Sequence, residues 1–312
     1  TMFHARSQFT SESISLFRLK HDMQQAEYLS SNNHKVNGLE RFINESSKIL
    51  KRKENIETNN NTYKKILLKE NEMVSLLPFY KANYLYEPKK LLEGCINPKK
   101  NWKKVEDEYF NSPKQIIYID NFLSEAAALE LRKFCLISKI WVEERRNKYL
   151  GSFSDKGFIS GIHLKIATEL KSKLPRLFGT HRLGRFWGFK YDSSLGKGIN
   201  IHADFALINL NFWITPDEFN ENKNGGGLKV YDTPAPKDWT FQKYNVNDEE
   251  IYKLLKAKKA NCINIPYKFN RAVLFNSDYF HETDKINFKD DYIARRINIT
   301  YLFGDRLFKK NI

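Results

Sequence analysis

The sequence predicts an α+β protein, with a helical region over residues 1–112 followed by a β-rich domain over 113–312. Apolar residues recur at helical spacing in the first region, alternate with polar ones from residue 116, and then fall into many short strand-like runs separated by turn residues. Such a succession of short strands suggests a sandwich or a barrel. With 312 residues, 41% hydrophobic and 14% aromatic, the chain can bury a sizeable core and lacks the composition of a disordered protein.

The elements can be justified in order. SESISLFRLKHDMQQAEYL sets Ile14, Phe17, Met23 and Tyr28 among polar residues at a roughly helical period. GLERFINESSKIL carries a second stripe through Leu39, Phe42, Ile43 and Leu50. The asparagines at 59–61 break the pattern, and TYKKILLKENEMVSLL resumes it as a helix expected to stop at Pro78. Pro88, Pro98 and Pro113 mark an irregular, lysine-rich passage. IIYIDNF then reads as a strand, and SEAAALELRKFCLISK as a helix with Ser124 at its N-cap. A further helix over about 163–174 is stopped by Pro175. Strands follow in RFWGFKYD, GINIHAD, ALINLNFWIT, GGLKVYD, NCINIP, RAVLFN, YFHET and RRINITYLFG, with one helical insert near DEEIYKLLKAKK.

Composition narrows the partners less than the fold. The formal net charge of +15 is spread along the chain, so it speaks to solubility and non-specific association more than to a nucleic-acid-binding stripe. Cys95, Cys135 and Cys262 are far apart and form no C-x-x-C pair, which suggests neither a disulfide framework nor a zinc knuckle. The start, Thr1-Met2 followed by polar helical sequence, is expected to hold no signal peptide or membrane span, and a cytoplasmic setting is the default expectation.

His202-Ala203-Asp204, followed at a distance by His281, is the strongest chemical signal. Two imidazoles and a carboxylate on one face of an octahedral Fe(II) leave three positions for a bidentate keto acid and O2. Residues i and i+2 of a strand point the same way, so a strand-borne H-x-D needs no backbone contortion. Alone, H-x-D is a weak motif, and either histidine alone reads as an ordinary hydrogen-bonded one. RRINIT changes this. The distal carboxylate of a keto acid needs a permanent cation that can grip it through two parallel hydrogen bonds, which arginine supplies. Period two groups Arg296 with Asn298 and Thr300 on one face, toward the pocket, and sends Arg295 the other way, to solvent or an ion pair. Asn209 and Asn211 likewise share a face. Trp187 and Trp213 are candidates for a substrate wall, although strand aromatics are more often core. His4, His21 and His34 read as structural or surface, and His21-Asp22 as no pair, because adjacent helical residues do not face each other.

These motifs together resemble the Fe(II)- and 2-oxoglutarate-dependent oxygenases of the double-stranded β-helix, or jelly-roll, fold. IIYIDNFLS before a helix is similar to a strand of their prolyl-hydroxylase-like members, and Gly225-Gly226-Gly227-Leu228 to their turn after the metal-binding pair. The blocks HDMQQAEYL, HADFALINLNFWITPDEFN, GGGLKVYDTPAPKDW, NRAVLFNSDYFHETD and RRINITYLFGDR resemble a bacterial group of such oxygenases often described as tetratricopeptide-repeat proteins. The likeness runs from about residue 18 to 306, and the repeat array of that group is not identifiable in it.

The resemblance implies a double-stranded β-helix core with flanking helices, iron held by His202, Asp204 and His281, and 2-oxoglutarate held by Arg296 with Asn298 and Thr300. It also implies that Tyr191 hydrogen-bonds the keto acid. Asn211, Trp213 and Trp187 are the candidate substrate contacts. The implied reaction hydroxylates a C–H bond of a protein or peptide side chain, or of a small metabolite, and releases succinate and CO2. No side chain acts as a general base. Two alternatives stand beside it: an oxidative nucleic-acid demethylase, and a non-catalytic cupin-like metal binder, which would need no carboxylate clamp. Substrate and oligomeric state are left open.

Overall fold

The computed structural model describes residues 13–54, 65–145, 149–192 and 198–306. The readings made at His4 and at the asparagines 59–61 lie outside these residues.

The first part is helical with additions that periodicity did not show. A two-stranded hairpin joins β1 (Ser13–Ser15) to β2 (Lys65–Leu67) around α1 (Leu16–Ser31) and α2 (Leu39–Glu54), and α3 (Glu70–Lys81) follows. Ile14 therefore belongs to a strand. The buried face of α1 runs through Phe17, Leu19, His21, Asp22, Gln25, Ala26 and Leu29, with Met23 and Tyr28 only half-buried. Pro78 does not end α3, which continues to Lys81. Its fixed φ suits a helix, and Leu76 and Phe79 anchor that last turn in the core.

Long irregular chain leads to α4 (Trp102–Asn111), which packs elsewhere. Trp102, Val105 and Tyr109 join the core beneath the main sheet, whereas α1–α3 share a separate one. The change from one core to the other falls between Tyr86 and Cys95. There follow β3 (Ile116–Ile119), α5 (Glu125–Ile137), β4 (Glu143–Arg145), β5 (Tyr149–Phe153), α6 (Gly161–Lys173) and α7 (Pro175–Phe178). Ser124 caps α5 by accepting from the Ala127 amide at 3.3 Å. Pro175 starts the single turn of α7 rather than a loop, as its missing N–H costs nothing at a first helical position.

The remaining strands are β6 (Leu183–Tyr191), β7 (Ile208–Trp213), β8 (Leu228–Pro234), β9 (Cys262–Ile265), β10 (Ala272–Asn276), β11 (Tyr279–Thr283) and β12 (Ile297–Phe303), with α8 (Phe241–Asn245) and α9 (Asp248–Ala257) inserted between β8 and β9. One sheet has the order β3-β10-β7-β12-β6-β5-β4 and the other β11-β8-β9, antiparallel throughout. GINIHAD contributes only one bridge, His202 to His281, at the edge of the smaller sheet. The bridge at His202 and strands β8, β9 and β11 form the smaller sheet, which faces the larger one across the core of Trp213, Val230 and Phe275. This is the double-stranded β-helix, α+β once its helices are counted.

Alternation along the strands builds two cores from one sheet. Ile297, Ile299, Tyr301, Leu210 and Phe212 face the helices, whereas Trp187, Phe189, Tyr191, Trp213, Val273 and Phe275 fill the space between the sheets. Among the described residues no helix is long and apolar enough to cross a membrane.

His21 does bond Asp22, through Nδ1 and Oδ1 at 2.9 Å, against the expectation for neighbours on a helix. Both side chains lie under the layer of Tyr80 and Tyr292, and two short side chains confined together can reach sideways. His163 is equally buried, its Nδ1 2.8 Å from Ser160 Oγ among Phe134, Phe158 and Phe186.

Burial pushes the His163 ring down to about 3, and burial with the Lys190 charge does the same to His21 against the pull of Asp22. Both rings stay neutral in the folded protein and take a proton in the unfolded chain near pH 6.5. Their contribution to stability is therefore complete above pH 6.5 and is lost as pH falls toward 3. Each ring costs about 1.4 kcal/mol per pH unit over that window. Urea midpoints measured from pH 7 to 4.5 should fall steeply, and His163→Leu should flatten the slope by one ring's share. An unchanged slope would contradict the neutral buried state.

Candidate metal centre

A single backbone pairing assembles the centre. The His202 amide donates to the His281 carbonyl at 3.0 Å and the His281 amide to the His202 carbonyl at 2.8 Å. Residues paired this way project to the same face of a sheet, so both imidazoles enter the space between the sheets, with ring centroids 4.3 Å apart. Asp204, two residues on, follows them. Nitrogen and oxygen atoms of the three side chains lie within 4.8 Å of one another.

The tautomers are set from behind. His202 Nδ1 lies 2.8 Å from the Asn200 carbonyl, and His281 Nδ1 lies 3.0 Å from the Tyr279 carbonyl. A carbonyl only accepts, so each Nδ1 carries the proton and each Nε2 is left bare. The bare His202 Nε2 is 3.8 Å from one Asp204 oxygen, and the His281 Nε2 is 3.5 Å from the other. Two lone pairs and a carboxylate facing each other need a positive charge between them. Burial lowers His202 to about 4, so it is neutral and able to ligate at pH 7. Burial would raise the Asp204 carboxyl, but His281, His202 and the Asn209 donor hold it below the usual range.

A chain of amides supports the carboxylate. Asn209 Nδ2 donates to Asp204 Oδ2 at 2.6 Å, Asn211 donates to Asn209 Oδ1, and Asn211 Oδ1 accepts from Asn298 at 3.0 Å and from Thr300 at 2.6 Å. The register explains the chain, because β12 pairs Thr300 with Asn211 on one side and with Trp187 on the other. The adjoining small cavity is lined by Trp187, Tyr191, Asn211, Asn298 and Thr300 together with the three ligand candidates. Phe189, Ile199, Leu228 and Thr283 complete it and were not singled out in the sequence. Thr283 could have been, since it stands two residues after His281 in the same strand.

Arg296 and Trp213 do not line that cavity. Arg296 lies against Tyr191, 1% exposed, its guanidinium 4.9 Å from the Tyr191 ring centre, 5.5 Å from Trp213 and 5.8 Å from Tyr267. Arg296 Nε donates to the Gly226 carbonyl at 2.6 Å and Nη2 to the Gly227 carbonyl at 3.2 Å. The expected two-pronged grip is thus partly committed to backbone, and Nη1 remains without a partner. The Trp187 and Trp213 indole nitrogens are also buried and unpartnered among the described residues, and the Tyr191 hydroxyl faces Thr283 and Arg296. Arg295 lies on the opposite face as expected but is 2% exposed, bound to Asp192 at 3.3 Å and Gln24 at 2.8 Å, rather than in solvent.

The glycine turn is required by geometry. Gly226 has φ +78°, and a Cβ on Gly227 would stand 1.9 Å from the Ile265 carbonyl oxygen. Gly227→Ala must therefore separate β8 from β9 and move both carbonyls that hold Arg296. A loss of at least ~2 kcal/mol in stability is expected, within the range for overpacking a buried site, and chemical denaturation against wild type checks it.

No family model and no curated protein matches the sequence. Among solved structures, the chain is similar to a non-haem α-ketoglutarate-dependent carbocyclase, SnoK, from nogalamycin biosynthesis, at 12% identity over 67% of this chain and 88% of that one, with a TM-score of 0.45. EctD from S. alaskensis is similar at 15% identity over 72% and 84%, with a TM-score of 0.45. A prolyl-4-hydroxylase from Pseudomonas putida is similar at 12% identity over 71% and 99%, with a TM-score of 0.35.

Proposed function

We propose that this chain is an Fe(II)- and 2-oxoglutarate-dependent dioxygenase that hydroxylates a C–H bond of a protein or peptide side chain, or of a small metabolite, with release of succinate and CO2. One observation carries the reading. Two bare imidazole nitrogens and a carboxylate converge beside a cavity lined by Tyr191, and packed on the Tyr191 ring is a buried arginine with no ion pair among the described residues. The donor set is the two-histidine, one-carboxylate arrangement that leaves positions open on iron. Arg296 Nη1 and the Trp213 indole nitrogen, with the Tyr191 hydroxyl, fit the distal carboxylate of a keto acid. Backbone carbonyls account for Nε and Nη2 of that guanidinium, which leaves Nη1 for a ligand.

When bound, iron with its keto acid and dioxygen supplies the oxidising chemistry. The chain's own residues do the rest. His202, Asp204 and His281 hold the metal on one side, and Asn209 fixes the carboxylate through Oδ2. Arg296 and Tyr191 orient the keto acid by its remote end, while Asn298 and Thr300 line its flank. Trp187 and Phe189 keep water from the cavity. The α1–α3 layer provides no ligand and packs mainly against α5, through Ile137. Succinate formation from 2-oxoglutarate by Fe(II)-loaded protein tests the proposal, and metal binding without any turnover would reduce the molecule to a metal-binding barrel.

A further inference from the structure

The side of the cavity at Tyr191, against which Arg296 lies, belongs to the co-substrate. Along β6 the residues on the inner face are Tyr191, Phe189, Trp187 and Arg185, in order of distance from Arg296. The pairing confirms this alternation, because Arg185 stands opposite Leu302, an inner-face residue, and Leu302 stands opposite Asn209. Asn209 is the residue that holds Asp204. Arg185 and Asn209 are thus two strands apart in one row, about 10 Å at the usual strand spacing.

Arg185 is exposed and has no ion pair among the described residues. Its guanidinium lies 5.6 Å from the ring centre of Phe205, the residue after Asp204. Phe205 in turn lies 6.3 Å from Phe241, which is 48% exposed. The other cation bonded to this segment is already committed, since Arg306 pairs with Asp278 at 2.9 Å, and Lys237 pairs with the same carboxylate. Beside Arg185, toward the metal, Trp187 offers its buried and unpartnered indole N–H. Among the described residues, Arg185 thus offers a guanidinium without an ion pair beside two aromatic rings, one inward-facing position along β6 from Trp187, which lines the cavity.

We infer that Arg185 determines substrate specificity by binding an anionic group, a carboxylate or a phosphate, on the part of the substrate remote from the C–H bond that reacts. The apolar body of the substrate lies between that group and the metal, over Phe205, Phe241 and Trp187. A planar guanidinium stacked on an aromatic ring is presented edge-on, with its donors free for such an anion. This assignment rests on the proposed oxygenase reading and deepens it.

The test is direct binding to the full chain loaded with Mn(II) and 2-oxoglutarate without oxygen, followed by calorimetry. 3-Phenylpropionate and phenyl phosphate are the anionic probes, and 3-phenylpropionamide and phenol their neutral counterparts. Wild type should bind at least one anionic probe about tenfold to a hundredfold more tightly than its counterpart, the range of a charge-assisted hydrogen bond. Which of the two it prefers separates carboxylate from phosphate. Arg185→Gln should abolish the difference, and Arg185→Lys should restore part of it. Anionic and neutral probes that bind wild type alike, neither binding at millimolar concentration, or a preference that survives in Arg185→Gln overturns the assignment. Titration of 2-oxoglutarate into the Mn(II) protein is read first. Its failure overturns the oxygenase reading itself, and so is distinguishable from failure at Arg185.

Discussion

Asp204→Ala should abolish iron-dependent conversion of 2-oxoglutarate to succinate and lower Fe(II) affinity by more than any other single change at the centre. The carboxylate is the only anion among the three side chains, and both bare Nε2 atoms face its oxygens at 3.5 and 3.8 Å. Its removal leaves two neutral ligands on the edge of the smaller sheet. Asn209→Ala provides a graded comparison, because it removes only the 2.6 Å donor to Asp204 Oδ2. Loss of such a supporting partner typically costs about 10- to 100-fold in metal affinity. The Ala variant of the ligand should be worse than this, and the Asn209 variant should fall within it. Equilibrium dialysis of Fe(II) under nitrogen and succinate release measure the two effects separately. Full turnover in Asp204→Ala would show that the three residues do not hold the metal.

Arg296→Ala should raise the apparent 2-oxoglutarate constant by roughly 30- to several-thousand-fold, as losing one partner of a desolvated charge pair costs about 2–5 kcal/mol. Fe(II) affinity should survive, since the guanidinium touches no metal ligand. Arg296→Lys should rescue little. A point charge cannot keep Gly226 and Gly227 while also presenting Nη1 to a ligand. Arg295→Ala is the control one residue away. It breaks a buried pair with Asp192 and the contact to Gln24 on the helical side, so it should lower stability by about 3–5 kcal/mol. Its 2-oxoglutarate constant should stay near wild type. The two arginines therefore separate by readout, one in the co-substrate constant and the other in the melting temperature. If Arg295→Ala proved the crippling change for 2-oxoglutarate, the assignment of faces along β12 would be inverted, and Asn298 and Thr300 would leave the cavity with it.

Much of the site could be read from one-dimensional rules. Period two set His202 with Asp204, Asn209 with Asn211, and Arg296 with Asn298 and Thr300, because side chains in a strand alternate whatever the strand pairs with. The same rule separated Arg295 from Arg296 before either was seen in space. The rule for helices failed at His21-Asp22. It describes an isolated helix on which neighbours diverge, and here α1 is pressed under Tyr80 and Tyr292. Pro78 failed as a helix stop for a related reason, since the packing of Phe79 outweighs one missing hydrogen bond.

What the sequence determined by itself was therefore local: which residues share a face, where helices begin, and which side chains have the chemistry proposed for a metal and a carboxylate. What only the tertiary structure decided was which faces meet. The pairing of His202 with His281 joins segments far apart in the chain, and no local period encodes it. The commitment of Arg296 to the carbonyls of Gly226 and Gly227 arises because a turn without side chains can approach a buried guanidinium that closely. That Arg185 has no ion pair among the described residues is likewise a matter of what surrounds it in space. A partner's position is a property of the folded backbone, and the physical reason is simple: side-chain direction is set by the residue's own φ and ψ, while side-chain company is set by strand order and sheet closure.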